Sequence, residues 1–196
     1  GLSIGLGTGA LANDDGTDND NTALGYNALN ANTSGTQNVA VGAYALDANT
    51  TANDNTAVGY DALSAATTGG NNTAVGKIAL QHNTTGINNT AVGKDALAAN
   101  TTANSNTAVG TDALTTSTTG IQNTAVGFEA GKANTTGYNN VFVGEVAGKA
   151  NTTGHSNTAL GRLALNLNTT GIQNTAVGNE SLQKNTADNN TAVGHH

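Results

Sequence analysis

One stretch of the sequence carries enough carboxylates to suggest metal binding. The segment NDDGTDND, residues 13–20, crowds four aspartates around Gly16. Oxygen ligands on a glycine-containing turn are the kind that Ca²⁺ prefers, although this spacing is not that of an EF-hand loop. The alternative is a charged end cap that solubilises the terminal coil and blocks end-to-end stacking. The sequence favours the cap, so no metal ligand is assigned; the four aspartates are Asp14, Asp15, Asp18 and Asp20.

Asn-x-Thr sequons are the second group of residues with potential chemistry. Such sequons accept N-linked glycans when they lie on an accessible surface. Their regular recurrence favours a different interpretation, in which Asn-Thr-Thr supplies the turn and ladder chemistry of a repeat. The sequons begin at Asn49, Asn83, Asn100, Asn134, Asn151 and Asn168.

No catalytic arrangement is visible. No Ser/His/Asp triad or carboxylate pair recurs with usable spacing. The sequence has no cysteine, which excludes disulfides and thiolate metal sites. We therefore predict that the chain is not an enzyme and holds no cofactor. The histidines fall at unrelated places, namely His82, His155, His195 and His196.

Ranks of threonine raise the possibility of ice binding, which requires a flat and regular Thr-x-Thr array. Thr84 and Thr85, like their equivalents elsewhere, are adjacent in the sequence. In a strand, adjacent side chains point to opposite faces. A single rank of threonines is a poor template for ice, so ice binding is only a minor alternative.

These residues belong to an internal repeat that covers the whole chain. Its consensus is N-T-A-V-G-x-x-A-L-x-x-N-T-T-G-x-x, a coil of 17 residues whose positions we number from its first Asn. We predict a single array in which residues 1–20 are a degenerate first coil or cap, 21–189 are regular coils and 190–196 are a truncated coil. The last regular coil has 16 residues. Coils start at Asn21, Asn38, Asn55, Asn72, Asn89, Asn106, Asn123, Asn140, Asn157, Asn174 and Asn190.

The repeat predicts an all-β fold. Its Asn, Thr and Gly are poor helix formers, and no apolar stripe recurs at helical spacing. Short alternating segments bounded by Gly and Asn, NTAVG and DALxA, indicate two short strands per coil. A constant coil length then favours a parallel β-solenoid in which identical residues stack and Asn and Thr form hydrogen-bonded ladders.

The interior of such a coil would be small. We expect it to contain the Val or Leu of the fourth position, the Leu of the ninth and two alanines. Burying two large aliphatic side chains contributes only about 3–6 kcal/mol, which is less than the entropy lost in ordering the coil. Burial between chains would help, so we predict a homo-oligomer, specifically a homotrimer.

Two consecutive coils depart from the consensus together. Gly131 and Gly148 replace the leucine of the ninth position, and Phe142 replaces the alanine of the third. Our hypothesis is that Phe142 fills the space left by the missing leucines and keeps the interior volume nearly constant. The alternative is that Phe142 and nearby Phe128 form an exposed patch for a partner.

Charge and hydropathy exclude two classes of partner. The net charge is −7 with only six Lys and Arg, whereas nucleic-acid binding requires a basic surface. No apolar run approaches the roughly 18–20 residues that span a bilayer, so we predict no membrane insertion. The charges lie mostly at the sixth, seventh and tenth positions, which we expect to face solvent and, with the sixteenth and seventeenth, to carry any specificity.

The strings NTAVGYDAL and NTAVGKDAL resemble the head repeats of YadA-like trimeric autotransporter adhesins. Longer runs such as NTTGINNTAVGKDALAANTT resemble repeat arrays of phage tail-fibre and related surface proteins. The resemblance implies a trimeric, left-handed parallel β-roll. The coil here is longer than the adhesin head repeat, so the outer loop NTTGxx has no assured counterpart.

Together these features predict the structural rod of an extracellular fibre, located on a cell surface or virion. We expect it to take part in attachment or recognition, with a cell-surface glycan or protein receptor as partner. The alternative is a self-assembling extracellular filament whose subunits stack through their terminal coils.

Overall fold

The computed structural model describes residues 2–16 and 19–195, so Asp18 of the acidic segment and His196 lie outside the described residues. Within them the chain forms one parallel sheet of twelve strands and no helix. Each strand pairs with the next one along the chain. The strands are β1 (Ile4–Leu6), β2 (Thr22–Leu24), β3 (Val39–Val41), β4 (Thr56–Val58), β5 (Thr73–Val75), β6 (Thr90–Val92), β7 (Thr107–Val109), β8 (Thr124–Val126), β9 (Val141–Val143), β10 (Thr158–Leu160), β11 (Thr175–Val177) and β12 (Thr191–Val193).

The register places equivalent residues side by side. Thr56 pairs with Thr73 and Ala57 with Ala74, and the same correspondence holds from β1 to β12. The fold is therefore a parallel β-solenoid of about eleven turns, which confirms the predicted all-β solenoid. The 17-residue coil, the left-handedness and the trimer stay predictions.

The predicted second strand of each coil, DALxA, is wrong. This segment is a series of turns in which the seventh and ninth residues both have positive φ, as at Asp61 (54°) and Leu63 (52°). The left-handed region is costly for a leucine. Backbone hydrogen bonds compensate, because the N–H of Asp61 donates to Ala43 of the preceding coil and that of Leu63 to Ala79 of the following one.

The strand has its alanine inside and its threonine and valine outside. In β4, Ala57 is fully buried while Val58 is 36% exposed. The expectation that the fourth position of the coil joins the core is therefore wrong. Side chains alternate along the strand, so those of the second and fourth coil positions lie together on the outer face. One large aliphatic side chain, the ninth-position leucine, is fully buried in each of seven coils, as at Leu63. Gly131 and Gly148 replace it in two coils, and Leu182 is only partly buried.

Glycine at the fifth position is required by both conformation and space. Its φ lies between 127° at Gly178 and 142° at Gly25, a region that side chains rarely adopt. A Cβ at Gly25 would lie 2.6 Å from the carbonyl oxygen of Gly42 in the next coil. The close approach of successive backbones at this corner therefore excludes other residues.

The first-position asparagines form an unbroken buried ladder. In a typical coil, Oδ1 of Asn72 accepts a 2.9 Å hydrogen bond from the backbone N–H of Asn89. Nδ2 of Asn72 donates to the carbonyl of Gly86 in its own coil, at 2.9 Å. The bond between coils continues from Asn21 to Asn190. The bond that closes a coil is made from Asn21 to Asn157.

A second buried ladder at the twelfth position is interrupted. Asn49 donates to Oδ1 of Asn32, and Asn100 to Oδ1 of Asn83. The next coils carry Ala66 and Ser117 instead of asparagine. As a result Oδ1 of Asn49 and Oδ1 of Asn100 are buried without a hydrogen-bond partner. Leaving such an acceptor unpaired costs about 1–3 kcal/mol.

The interruption generates the first prediction. Ala66→Asn restores a donor for Oδ1 of Asn49, so it should raise the free energy of unfolding by about 1 kcal/mol. Urea denaturation followed by circular dichroism measures the change. Ala65→Asn, one residue earlier and facing partly outward, is the matched control and should have no such effect. A lower stability for Ala66→Asn would contradict the ladder account.

The hypothesis about Phe142 is confirmed. Its side chain is fully buried, and a Cβ at Gly131 would lie 2.6 Å from its ring. A Cβ at Gly148 would overlap the same ring from the next coil. Phe142 therefore occupies the space that two leucines fill elsewhere. Phe128 is 50% exposed and takes no part in this packing.

The second prediction tests this exchange of volume. Phe142→Ala should destabilise the chain by about 3–5 kcal/mol, because it leaves a cavity between two glycines. Adding Gly131→Leu and Gly148→Leu should recover most of the loss, since leucine adopts the same positive φ at this position in other coils. The midpoint of urea unfolding reports both. An unchanged midpoint for Phe142→Ala would refute the compensation.

Candidate recognition surfaces

The outer face of the sheet presents the second and fourth positions of every coil, which are the first and last residues of each strand, and we call it the Thr/Val face. Nine of the twelve strands begin with threonine and nine end with valine. No strand has a charged residue on this face. Exposed protein surfaces normally mix charges of both signs. An uncharged face along the whole array is therefore a feature that requires an explanation.

The hydroxyl groups of this face differ from the other threonines of the repeat. At the thirteenth position, Thr84 Oγ1 donates to the carbonyl of Thr101, and that bond recurs between coils. Thirteenth-position hydroxyls thus serve the fold. Between β2 and β12, the second-position threonines such as Thr90 make no side-chain hydrogen bond to the described residues, so their hydroxyls are available to an external partner.

The sixth, seventh and tenth positions lie on a different side of the coil, which we call the variable face. From Asp95 onward its carboxylates are paired with cations. Lys132 Nζ lies 3.0 Å from Asp112 Oδ2 and 2.6 Å from Glu129 Oε1. Further along the rod, Arg162 Nε lies 3.3 Å from Glu145 Oε2. The other pairs are Lys94 with Asp95, Lys149 with Glu129, and Arg162 with Glu180.

These pairs shift the proton affinities of their members in the expected directions. Hydrogen bonds from Lys132 and Lys149 lower the pKa of Glu129. Hydrogen bonds to Glu129 and Asp112 raise the pKa of Lys132. The cations of these pairs are one-third or more exposed, so each pair contributes little to stability. Their effect is to neutralise this part of the variable face.

The N-terminal part of the variable face has an aromatic cluster instead. Three of the four tyrosines of the chain meet there, and we call them the tyrosine patch. The ring centroids of Tyr26 and Tyr44 are 5.3 Å apart, and those of Tyr44 and Tyr60 are 6.0 Å apart. Both contacts are edge-to-face, and Tyr26 and Tyr60 are 50% and 49% exposed. The sequence did not single out this cluster.

Two carboxylates beside the tyrosine patch have no cation. Asp47 and Asp61 form no ion pair with the described residues, and Asp61 Oδ2 accepts only a 3.4 Å hydrogen bond from Gln81. Burial and then repulsion by Asp61 raise the pKa of Asp47. Removal from water, followed by the neighbouring tyrosines and these aspartates, raises the pKa of Tyr44. Tyr44 therefore keeps its proton at neutral pH.

Two of the described aspartates of the acidic segment accept hydrogen bonds from one side-chain amide. Nδ2 of Asn19 donates to Oδ1 of Asp14 at 3.0 Å and to Oδ1 of Asp15 at 3.2 Å. In residues 2–16 and 19–195 no three His, Asp or Glu side chains are placed to hold a metal ion. That the aspartates form a charged end cap stays a prediction, and Asp18 is outside the described residues.

The predicted sequons lie in the interior. Asn49, Asn83 and the other four are at most 1% exposed, and their Nδ2 atoms donate to carbonyls of the chain. A glycan requires an accessible Nδ2. The burial supports the interpretation that Asn-Thr-Thr is ladder chemistry.

The remaining candidates are scattered. Thr84 and Thr85 lie in a bend and not in a strand, so the opposite-face argument does not describe them. His82 is exposed, while His155 stacks on Tyr138 at 4.4 Å and His195 contacts Asn179. The structure does not bring the described histidines together. That the chain is not an enzyme stays a prediction.

Comparison of the sequence with protein-family models and with curated proteins, and of the fold with solved structures, finds no match. In the described part of the chain there is no helix with the length and hydropathy of a membrane span.

Proposed function

We propose that the chain is the structural rod of an extracellular fibre, a phage tail fibre or a bacterial surface adhesin, that acts in attachment or surface recognition. The observation that supports this is the continuity of the sheet and of the first-position asparagine ladder through the array. At about 4.8 Å per turn, eleven turns make a rod roughly 50 Å long. Such a rod holds repeated surfaces at fixed spacing, and repeated weak contacts multiply into avidity.

We further propose that three such chains, each a left-handed roll of 17-residue coils, associate in register through their Thr/Val faces. The ninth-position leucines are already buried within one chain, so they are not free to form an interface. The Thr/Val face is uncharged, and its valines are about one-third exposed, as at Val58 and Val92 (36% each). Packing between identical faces would remove these side chains from water without burying any charge.

The same face supports a second candidate function, ice binding. The objection drawn from Thr84 and Thr85 does not apply to it, because the first and last residues of each three-residue strand point the same way. Threonine methyls and hydroxyls, valine methyls and a constant spacing between coils form a regular array. Between β2 and β12 its threonine hydroxyls make no hydrogen bond to the described residues. A regular, uncharged array is the kind of surface that can order water into a lattice.

The third prediction separates these uses of the Thr/Val face. For a fibre rod, sedimentation equilibrium should show trimers, and the double variant Val92→Lys/Val126→Lys should be a folded monomer because unpaired lysine charges cannot be buried in the interface. Thr102→Lys, exposed on another side of the rod, is the control and should remain trimeric. Open-ended fibres on negative-stain grids would instead indicate the end-to-end filament.

For ice binding, the wild-type chain should be monomeric and show thermal hysteresis, which the double variant should lose and Thr102→Lys should keep. A monomer without thermal hysteresis would contradict both uses of the face. The attachment function is tested separately, by flow cytometry of fluorescently labelled protein on a panel of bacterial cells. Absence of binding to every cell type would count against it.

A further inference from the structure

We infer that the tyrosine patch, with Asp47 and Asp61 beside it, is a binding site for neutral or amino-bearing saccharides. This inference rests on the proposed function, for which it supplies a location and a ligand class. It also predicts that recognition occurs at one point of the rod and not equally along it.

The concentration of aromatic residues is the first reason. The chain is only 3% aromatic, yet three consecutive coils contribute a tyrosine to the same place. Tyr26 and Tyr60 come from the sixth position. The coil between them has Ala43 at that position, and Tyr44 of the seventh contacts both neighbouring rings. Tyrosine rings gain free energy when they are removed from water, so two half-exposed rings packed against a third indicate a contact surface.

The polar groups around the rings are the second reason. Carboxylates of Asp47 and Asp61 accept hydrogen bonds, and Gln81 supplies a donor beside Asp61. Lys77 Nζ lies 5.9 Å from the centroid of Tyr60 and adds a second donor at one end. A sugar ring has an apolar C–H face bordered by hydroxyl groups. Aromatic rings flanked by acceptors and donors match both parts of it.

Charge selects among saccharides. Elsewhere on the variable face, each carboxylate of the sixth or seventh position from Asp95 onward has a cation within ion-pair distance. Asp47 and Asp61 do not, and they repel each other. Lys77, the one cation placed at the patch, lies over the Tyr60 ring and forms no ion pair with Asp47 or Asp61 among the described residues. An acidic sugar would therefore add a third negative charge beside two unpaired carboxylates, whereas a hydroxyl or an ammonium group would donate to them. The patch should therefore discriminate against sialylated and uronic-acid glycans.

The comparison within the chain shows that the cluster is not a general property of the repeat. Phe128 occupies the same sixth position and is 50% exposed, like Tyr26 and Tyr60. It has no aromatic contact with the described residues, and its own coil carries the ion pairs of Glu129. Phe128 thus offers equal aromatic exposure without the cluster and without free carboxylates.

A glycan array followed by calorimetry with the best neutral or amino-bearing oligosaccharide tests the inference, using the full chain. Tyr60→Ala should weaken binding at least about fivefold, because it removes one ring of the contact. Tyr60→Phe should keep most of the affinity, and Asp61→Asn should reduce it. Phe128→Ala, the matched control, should bind like wild type, and circular dichroism verifies that all variants are folded.

The outcomes distinguish this inference from the proposed function. If the chain attaches to cells and Tyr60→Ala attaches equally well, the saccharide site is refuted while the attachment function stands. Equal losses for Tyr60→Ala and Phe128→Ala also refute it, as does a preference for acidic glycans. If the chain attaches to no cells but the array shows binding that depends on Tyr60, the site stands and the fibre function is refuted.

Discussion

The structure depends on one interaction, the hydrogen bonding of buried asparagine amides between successive coils. An amide has a donor and an acceptor, so an asparagine at the first position can close its own coil and hold the next. An apolar side chain would fill the same volume but leave a backbone N–H and a carbonyl unpaired in each coil. This requirement fixes the first position in every coil from Asn21 to Asn190. It also explains how so polar a sequence forms an interior.

The spacing of the repeat was sufficient to predict a parallel solenoid, because equal coils place equal residues in register. The role of Phe142 was also predictable, since the loss of two leucines and the gain of one ring can be counted in the sequence. Which side chains of the strand face the interior was not predictable. Alternation places the threonine and the valine on one face, but hydropathy alone suggested that valine faces inward. The interior is too narrow for that, because asparagine, alanine and leucine already fill it.

The prediction of a second strand in each coil was wrong for a different reason. Alternating polar and apolar letters in DALxA are typical of a strand, and leucine rarely adopts positive φ. The asparagine and aspartate common at the seventh position were the available signal, since both tolerate the left-handed region. At Leu63 no such signal exists, because tertiary contacts impose the conformation: full burial of the side chain and a backbone hydrogen bond to the next coil. The tyrosine patch was missed because its members occupy two different repeat positions.

The hydrogen-bonded asparagine ladders leave the rod with two kinds of surface, one that repeats from coil to coil and one that varies. On the Thr/Val face nearly every coil presents the same side chains, so a property of that face grows with the number of coils and is lost gradually when single residues change. On the variable face the asparagine ladders do not restrict the residue type, and each coil differs from its neighbours. Tyr26, Tyr44 and Tyr60 in one region and the Lys132 ion pairs in another show how far that freedom extends. A property of the variable face is therefore local, and one substitution suffices to remove it. Assembly or ice binding fits the first kind of surface, whereas recognition of a particular ligand requires the second.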